Sequence, residues 1–285
     1  MMKDQKNLWT RRRFIGSAAA GITSAVLLPH LATSCKSKPV TEIKLGFIGL
    51  GRQSMFLLSG FIQIPGVKVL AGCDVYGIKR KRFERRVNGF YANTGKAVKV
   101  ETYEKYEDLL ARADIDAVVI AVPDHTHAMI AIAACKAGKD IYQEKPITFT
   151  IKEGKKVAEA VRKYNVIFAT GSQQRSDSNY QHAVNMVHRQ AIGKLTKVWA
   201  YVGPGPDPYN LPEQPVPKDL DWSTWLGPLK YLHYNERLNP PISLSPVKNE
   251  TYWGAWRYYK ETGGGYTCDW GAHNFDIGQW GLGKD

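Results

Sequence analysis

Apolar residues in this chain fall into short blocks that alternate with longer stretches of helical spacing. From Ile43 to Asp74 the sequence reads IKLGFIGLGRQSMFLLSGFIQIPGVKVLAGCD. An apolar strand ends in glycines, an apolar helix follows, a Pro65-Gly66 turn breaks it, and a second strand closes on a carboxylate, which together make one βαβ unit. Val98 to Thr102 predicts a third strand and Tyr106 to Arg112 a short helix. Asp116 to Pro123 is a continuous β-branched run, as expected of a parallel strand buried on both faces. Asp124-His125-Thr126-His127 then opens an alanine-rich helix that is apolar all round to Gly138, and Lys139 to Gln143 is the next strand. Thr150 to Tyr164 reads as an amphipathic helix with Val157, Ala158 and Val161 inward, and Tyr180 to Gln190 as another with Ala183, Met186 and Val187 inward. Lys194 to Val202 reads as a strand, and Gly203 to Pro217 as a long loop. The pattern predicts an α/β protein, with a doubly wound parallel sheet over 41–168 and an α+β domain with an open mixed sheet over 169–285.

The first turn carries candidate chemistry. Gly49 and Gly51 fall where a chain leaving a strand turns sharply and lets a pyrophosphate approach bare backbone at the positive end of a helix. The third position of this G-x-G-x-x-S pattern is Ser54, small enough for close helix–strand packing. Asp74 lies close to where a ribose-binding carboxylate is expected, roughly 20 residues downstream.

Residues 1–40 read as an export signal and linker rather than part of the fold. Thr10-Arg11-Arg12-Arg13-Phe14-Ile15 is a twin-arginine pattern, followed by an apolar run from Ala18 to Leu28 too short to span a bilayer. Leu31-Ala32-Thr33-Ser34-Cys35 permits lipid attachment at Cys35 or cleavage after Ser34. The expectation is a periplasmic protein exported already folded, so that a cofactor can be loaded first. The formal charge of +13 includes seven Lys/Arg against one Asp in this leader, leaving about +7 elsewhere. No basic stripe with interleaved aromatics is present, which excludes a nucleic-acid partner. The four cysteines form no C-x-x-C pair, so neither a zinc site nor a disulfide framework is implied.

Gly77 to Arg86 is strongly basic and reads first as a solvated helix face, with a seat for the 2'-phosphate of NADP or an anion surface as alternatives. His125 and His127 point to different sides of a helix and have no further ligand cluster, so no metal is expected. Lys145, in Glu144-Lys145-Pro146, ends a parallel strand at the crevice where such sheets bind ligands. Asp269 and His273 are four apart on one helix face. Asp276 is placed to sit beside the same imidazole and raise its pKa. Alternatively, Asp269 only caps the helix and His273 only packs on an aromatic ring. The tryptophans and tyrosines from Trp222 to Tyr259 suit sugar faces or core packing equally.

The G-L-G-R turn, the acid after the second strand, V-P-D-H-T-H and E-K-P resemble the Gfo/Idh/MocA family of oxidoreductases. So do Gly171-Ser-Gln-Gln-Arg175, the block from Leu220 to Pro228, Gly263 to Gly265, and Asp269-Trp-Gly-Ala-His273 with Asp276. The resemblance covers about Lys44 to Leu282. It departs at Ser54, and at Gln173-Gln174, where many members carry a basic residue before Arg175.

The resemblance implies a Rossmann-type domain and a substrate domain, with tightly bound NAD, or NADP as the alternative. Gly49, Gly51, Arg52, Gln53 and Ser54 would hold the cofactor at the turn, and Asp74 at the ribose. Pro123, His127, Glu144, Lys145 and Arg175 would hold it further along. Lys145 would hold the reacting hydroxyl of a sugar or cyclitol, Asp269 would help orient it, and His273 would accept the proton as hydride leaves. The family's NAD-dependent glycosidase branch is the alternative activity, through a transient keto sugar with no net redox. A non-catalytic, NAD-bound sugar sensor or an inactive fragment is the third reading. A homo-oligomer is expected. The chain stops at Asp285, just after the catalytic helix, whereas the family's later strands follow that helix, so a truncated substrate domain is also expected.

Overall fold

The computed structural model describes residues 42–95 and 98–284. The twin-arginine pattern and Cys35 lie outside the described residues. Strands β1 (Ile43–Ile48), β2 (Val67–Cys73), β3 (Glu101–Tyr103), β4 (Ala117–Ile120), β5 (Asp140–Glu144) and β6 (Phe168–Gly171) form one six-stranded sheet. Their order is β3-β2-β1-β4-β5-β6, and every pairing is parallel. The strand order reverses between β1 and β4, which opens a crevice at their carboxyl ends.

Strand alternation makes two cores from one sheet. Phe47, Val69 and Val119 face helices α1 (Arg52–Phe61) and α2 (Gly77–Asn93), where Met55, Leu58, Phe83 and Val87 complete the packing. Ile48, Ala71 and Ile120 face the other way. They pack on α3 (Tyr106–Leu110), α4 (Asp124–Lys136) and α5 (Ile151–Tyr164) through Leu109, Ala131, Cys135 and Val157. Beside a register slip between Leu45 and Gly46, the Val69 N–H donates to the Tyr91 hydroxyl at 2.7 Å, so no buried donor is stranded. Helix α5 starts on a capping box of Thr150 and Glu153 and ends on Asn165 in the left-handed region. Its buried face is Val157 and Ala160, with Val161 packed against the core.

After β6 the chain runs through a 3-10 turn (Gln173–Ser176), α6 (Ser178–His188), α7 (Trp222–Leu226), a hairpin of β7 (Ser243–Leu244) and β8 (Val247–Lys248), a 3-10 turn (Ala255–Tyr258) and α8 (Gly265–Gly281). Tyr76, Leu220, Trp222, Trp225, Tyr234, Leu238 and Tyr259 form a third core, in which Trp222 and Trp225 stack at 4.4 Å. These aromatics are therefore packing residues. Among the described residues no helix is long and apolar enough to cross a membrane.

Several expectations are corrected. The third strand is Glu101–Tyr103 rather than 98–102, because Glu101 is where pairing with Ala71 begins. Lys194 to Val202 is irregular, with Trp199 81% exposed. A strand exists by its ladder, and no described residue pairs with this segment. Among the described residues of the second part, the sheet present is the small antiparallel hairpin β7-β8. On α6 the buried residue is Val184, while Ala183 and Met186 are exposed, a rotation of the helix set by the surface it meets.

Candidate functional site

A cleft of about 340 Å³ opens at the carboxyl ends of β1, β2, β4 and β5. At one end is the glycine turn. Gly49 has φ of +81°, and a side chain there would place its Cβ 2.6 Å from the Ala121 carbonyl oxygen, so only glycine closes this turn. A Cβ at Gly51 would meet nothing within 4 Å, leaving the amino end of α1 open to the cleft. Asp74 caps the turn from β2: Oδ2 accepts from the Leu50 N–H at 2.7 Å and Oδ1 from the Tyr76 N–H at 2.8 Å. Each oxygen keeps a lone pair for another donor.

The basic stretch of α2 divides here: Lys81, Arg85 and Arg86 are exposed, as on the expected solvated face, whereas Lys79 and Arg82 line the cleft. Arg82 is 2% exposed and donates to the Leu50 carbonyl, while its Nε finds no partner. Lys79 donates to Asn239, and Arg80 donates to the Asp74 carbonyl oxygen at 2.5 Å. Burial pulls the pKa values of Lys79 and Arg82 down, and the carboxylate of Asp74 opposes this. An open amino end, an orphaned buried guanidinium N–H and a carboxylate with spare lone pairs fit the phosphates and ribose of a dinucleotide.

Residues 239–254 cross the mouth as a strap. Arg52 donates to the Thr251 carbonyl and lies 4.5 Å from the centre of the Trp253 ring, while Arg86 pairs with Glu250 at 2.7 Å. Arg52 is thus committed to the strap.

At the other end four elements bring charge together. Lys145, after β5, donates to Asp269 of α8 through Oδ1 at 2.5 Å and through the main-chain oxygen at 2.9 Å. Arg257 stands 3.8 Å from the same Oδ1. Asp124, the first residue of α4, is buried. Burial pushes its pKa up to about 7, against the pull of Arg257 and Lys145. Burial also raises Glu144, which accepts from Gln53 Nε2 at 2.9 Å. His273 lines the cleft one turn beyond Asp269. Its pKa is lowered, first by burial and then by Lys145, which together outweigh Asp269 and Asp276. The expected rise does not occur, because Asp269 is engaged by Lys145 and Asp276 receives two hydrogen bonds from Arg175, at 2.7 and 2.8 Å.

Sequence-named residues thus divide. Gly49, Gly51, Arg52, Gln53, Asp74, Pro123, Glu144, Lys145, Asp269 and His273 line the cleft. Ser54 does not: it is fully buried in α1, where its small size lets the helix approach the sheet. His127 lies beneath, its Nδ1–H donating to the Pro146 carbonyl at 2.6 Å, so it supports the Lys145-Pro146 turn. Arg175 pairs with Asp276 away from the cleft. His125 is likewise structural, with Nε2 2.9 Å from the Trp225 carbonyl. Among the described residues no cluster of three or more His, Cys, Asp or Glu could hold a metal. Sequence analysis missed Asp124 and Arg257, whose available signal was a charged residue within an otherwise apolar or aromatic block, while Lys79 and Arg82 fall in the stretch for which anion binding was an alternative reading.

Residues 43–172 match a family model described as an oxidoreductase family, NAD-binding Rossmann fold, and residues 188–285 match its companion, oxidoreductase family, C-terminal alpha/beta domain. An uncharacterized oxidoreductase, YrbE, of Bacillus subtilis is 29% identical over 172 residues, 60% of this chain and 47% of the relative. A glycosyl hydrolase family 109 protein of Shewanella baltica is 28% identical over 207 residues, covering 65% and 44%. The scyllo-inositol 2-dehydrogenase (NAD(+)) of Bacillus subtilis is 28% identical over 154 residues, covering 54% and 42%. The chain therefore spans about half the length of these relatives. With the parallel sheet, its glycine turn and both family models in agreement along the chain, this protein belongs to the Gfo/Idh/MocA family of NAD-binding oxidoreductases.

Proposed function

We propose that this protein oxidises a CH–OH group of a sugar or cyclitol with NAD. The observation that carries this is the meeting of Lys145, Asp269 and His273 at one end of a cleft whose other end is the glycine turn. NAD held between the glycine turn and Asp74 would supply the acceptor for the hydride of the carbinol carbon. Lys145 Nζ, held by Asp269, donates to the substrate hydroxyl and fixes its oxygen. His273 is kept neutral by burial and by Lys145, so a ring nitrogen is free to accept the hydroxyl proton. Trp253, Trp256 and Trp270 line the cleft, and Trp270, which carries no stacked cation among the described residues, offers an apolar face to a sugar ring. NAD is favoured over NADP because the Asp74 carboxylate would repel a 2'-phosphate, and because Lys79 already donates to Asn239.

The test uses full-length protein purified without added nucleotide. Released nucleotide is identified after denaturation, and the native protein is then given NAD and a panel of inositols and hexoses. Reduction of the nicotinamide on polyol addition supports the proposal; no bound nucleotide and no binding of added NAD would sink it. The similarity to a family 109 glycosyl hydrolase favours a second reading, cleavage of a glycoside with the hydride returned. Release of an aryl aglycone without net reduction selects it. From Thr10 to Cys35 we also infer export by the twin-arginine route to the periplasm, with a lipid anchor at Cys35. The mass of the processed amino terminus decides between lipidation and simple cleavage.

A further inference from the structure

Neither the glycine turn nor the Asp269–His273 helix accounts for Arg257. Its guanidinium lies 4.2 Å from the centre of the Trp256 ring and 4.6 Å from that of Trp253, and Nη1 donates to the Gly254 carbonyl at 3.1 Å. A planar cation held against two indoles loses most of its freedom before any substrate arrives. Its remaining edge brings Nε to 3.8 Å from Asp269 Oδ1, the oxygen that also accepts from Lys145. The Trp253 ring carries a second cation, Arg52, at 4.5 Å, and Arg52 is the first residue of α1 beyond the nucleotide turn.

We propose that Arg257 is a positioning residue that holds Asp269 on Lys145 and, through Trp253 and Arg52, registers that pair against the nucleotide seat. This rests on the oxidoreductase reading. The groups acting on Arg257 are Asp269 of α8, Asp124 of α4, Tyr258 beside it and Glu144 at the end of β5, and Lys145 and His273 line the same cleft. Without the guanidinium, the carboxyl groups of Asp269, Asp124 and Glu144 lose a cation that they share with Lys145. Lys145 Nζ is then drawn among several acceptors instead of being held on one, and Asp124 keeps its proton to higher pH, since Arg257 is the foremost charge opposing the effect of burial there. A protonated Asp124 removes a negative charge that acts on Lys145, so the charge balance around the Lys145–Asp269 pair, and the rate with it, follows the titration of Asp124.

The experiment compares wild-type protein with Arg257→Met and Arg257→Lys. NAD binding is followed by quenching of tryptophan fluorescence, and the first turnover of NAD reduction is followed across the neutral pH range with the best polyol of the inositol and hexose panel. In Arg257→Met the NAD dissociation constant is expected within about threefold of wild type, while the reduction rate falls about tenfold or more, a range suited to loss of alignment near the reacting atoms. The acidic limb of the pH–rate profile is expected to move upward by about one pH unit, the sign for a carboxyl that has lost a neighbouring cation. Arg257→Lys, which keeps the charge without the fork, is expected to recover the limb but only part of the rate.

A merely structural role predicts weaker NAD binding and lower thermal stability with an unmoved limb, and that result in both variants overturns the proposal. If Arg257→Met does not fold, Arg257→Lys still decides: full wild-type rate and profile would show that the fork has no positioning role. Wild-type protein that binds no NAD overturns this inference together with the oxidoreductase reading. Wild-type protein that binds and reduces NAD beside variants that match it overturns only the role of Arg257.

Discussion

Lys145 Nζ donates to Asp269 at two points, the side-chain Oδ1 at 2.5 Å and the main-chain oxygen at 2.9 Å, across 124 residues of sequence. Each side chain is 17% exposed, so each charge depends on the other. Breaking a buried pair by removing one partner strands the other. Lys145→Met and Asp269→Leu are each expected to cost about 2–4 kcal/mol, with the double variant less unstable than the sum by about 1–3 kcal/mol. Urea denaturation of the four proteins checks this; simple additivity would mean that the pair contributes nothing to the fold.

The two turn glycines are expected to fail differently. Gly49→Ala forces a Cβ into the Ala121 carbonyl at a positive φ, so stability should fall by about 2 kcal/mol or more. Gly51→Ala meets no atom within 4 Å and should melt near wild type while losing about tenfold or more in NAD affinity, since the methyl group occupies the space of the phosphates. Melting curves paired with NAD titration separate the two effects.

The strap is held largely by charge. Arg86 and Glu250 are 45% and 16% exposed, so their bridge is worth about 1 kcal/mol or less, roughly a fivefold effect on a rate. Glu250→Ala is therefore expected to release bound NAD about two- to fivefold faster. Raising the salt should speed release from wild type and narrow its gap from the variant. Stopped-flow displacement of NAD measures both, and equal release rates at low salt would count against the strap.

Acid should act through His127. Burial lowers its pKa to about 4, below the usual value near 6.5. Because the folded pKa is the depressed one, the unfolded chain takes up the proton first. Its contribution to stability is complete above about pH 6.5, declines as the pH falls, and is lost by about pH 4, amounting to about 3 kcal/mol. Asp124, raised to about 7, has the opposite slope, with its contribution present below the unfolded value and lost as the pH rises through about 7. Comparing wild type with His127→Asn between about pH 4 and 6.5 isolates the histidine, and parallel stability curves would show that it does not titrate with folding.

The nucleotide half was legible because its information is local. The β-branched run from Asp116 to Pro123 can be satisfied only by burial on both faces, and a G-x-G turn closing a strand has few backbone solutions. Within the candidate site, the strand-end place of Lys145 and the shared helix face of Asp269 and His273 were legible, but the pairing of Lys145 with Asp269 across 124 residues was not. Nor was the direction of the His273 shift, because it depends first on how deeply the ring is buried and then on which cation sits nearest.

Local pattern and chemistry thus determined the parallel sheet, the nucleotide turn and most residues that line the cleft. Only the tertiary structure decided that the basic start of α2 turns inward through Arg82, that the aromatics from Trp222 to Tyr259 divide between core and cleft, that Arg175 pairs with Asp276, and that 194–202 is not a strand. A charge or an aromatic ring carries no periodic signal of its own. Whether it faces water, a partner or a cleft is settled by distant segments that supply its counter-ion, its neighbour or its ladder.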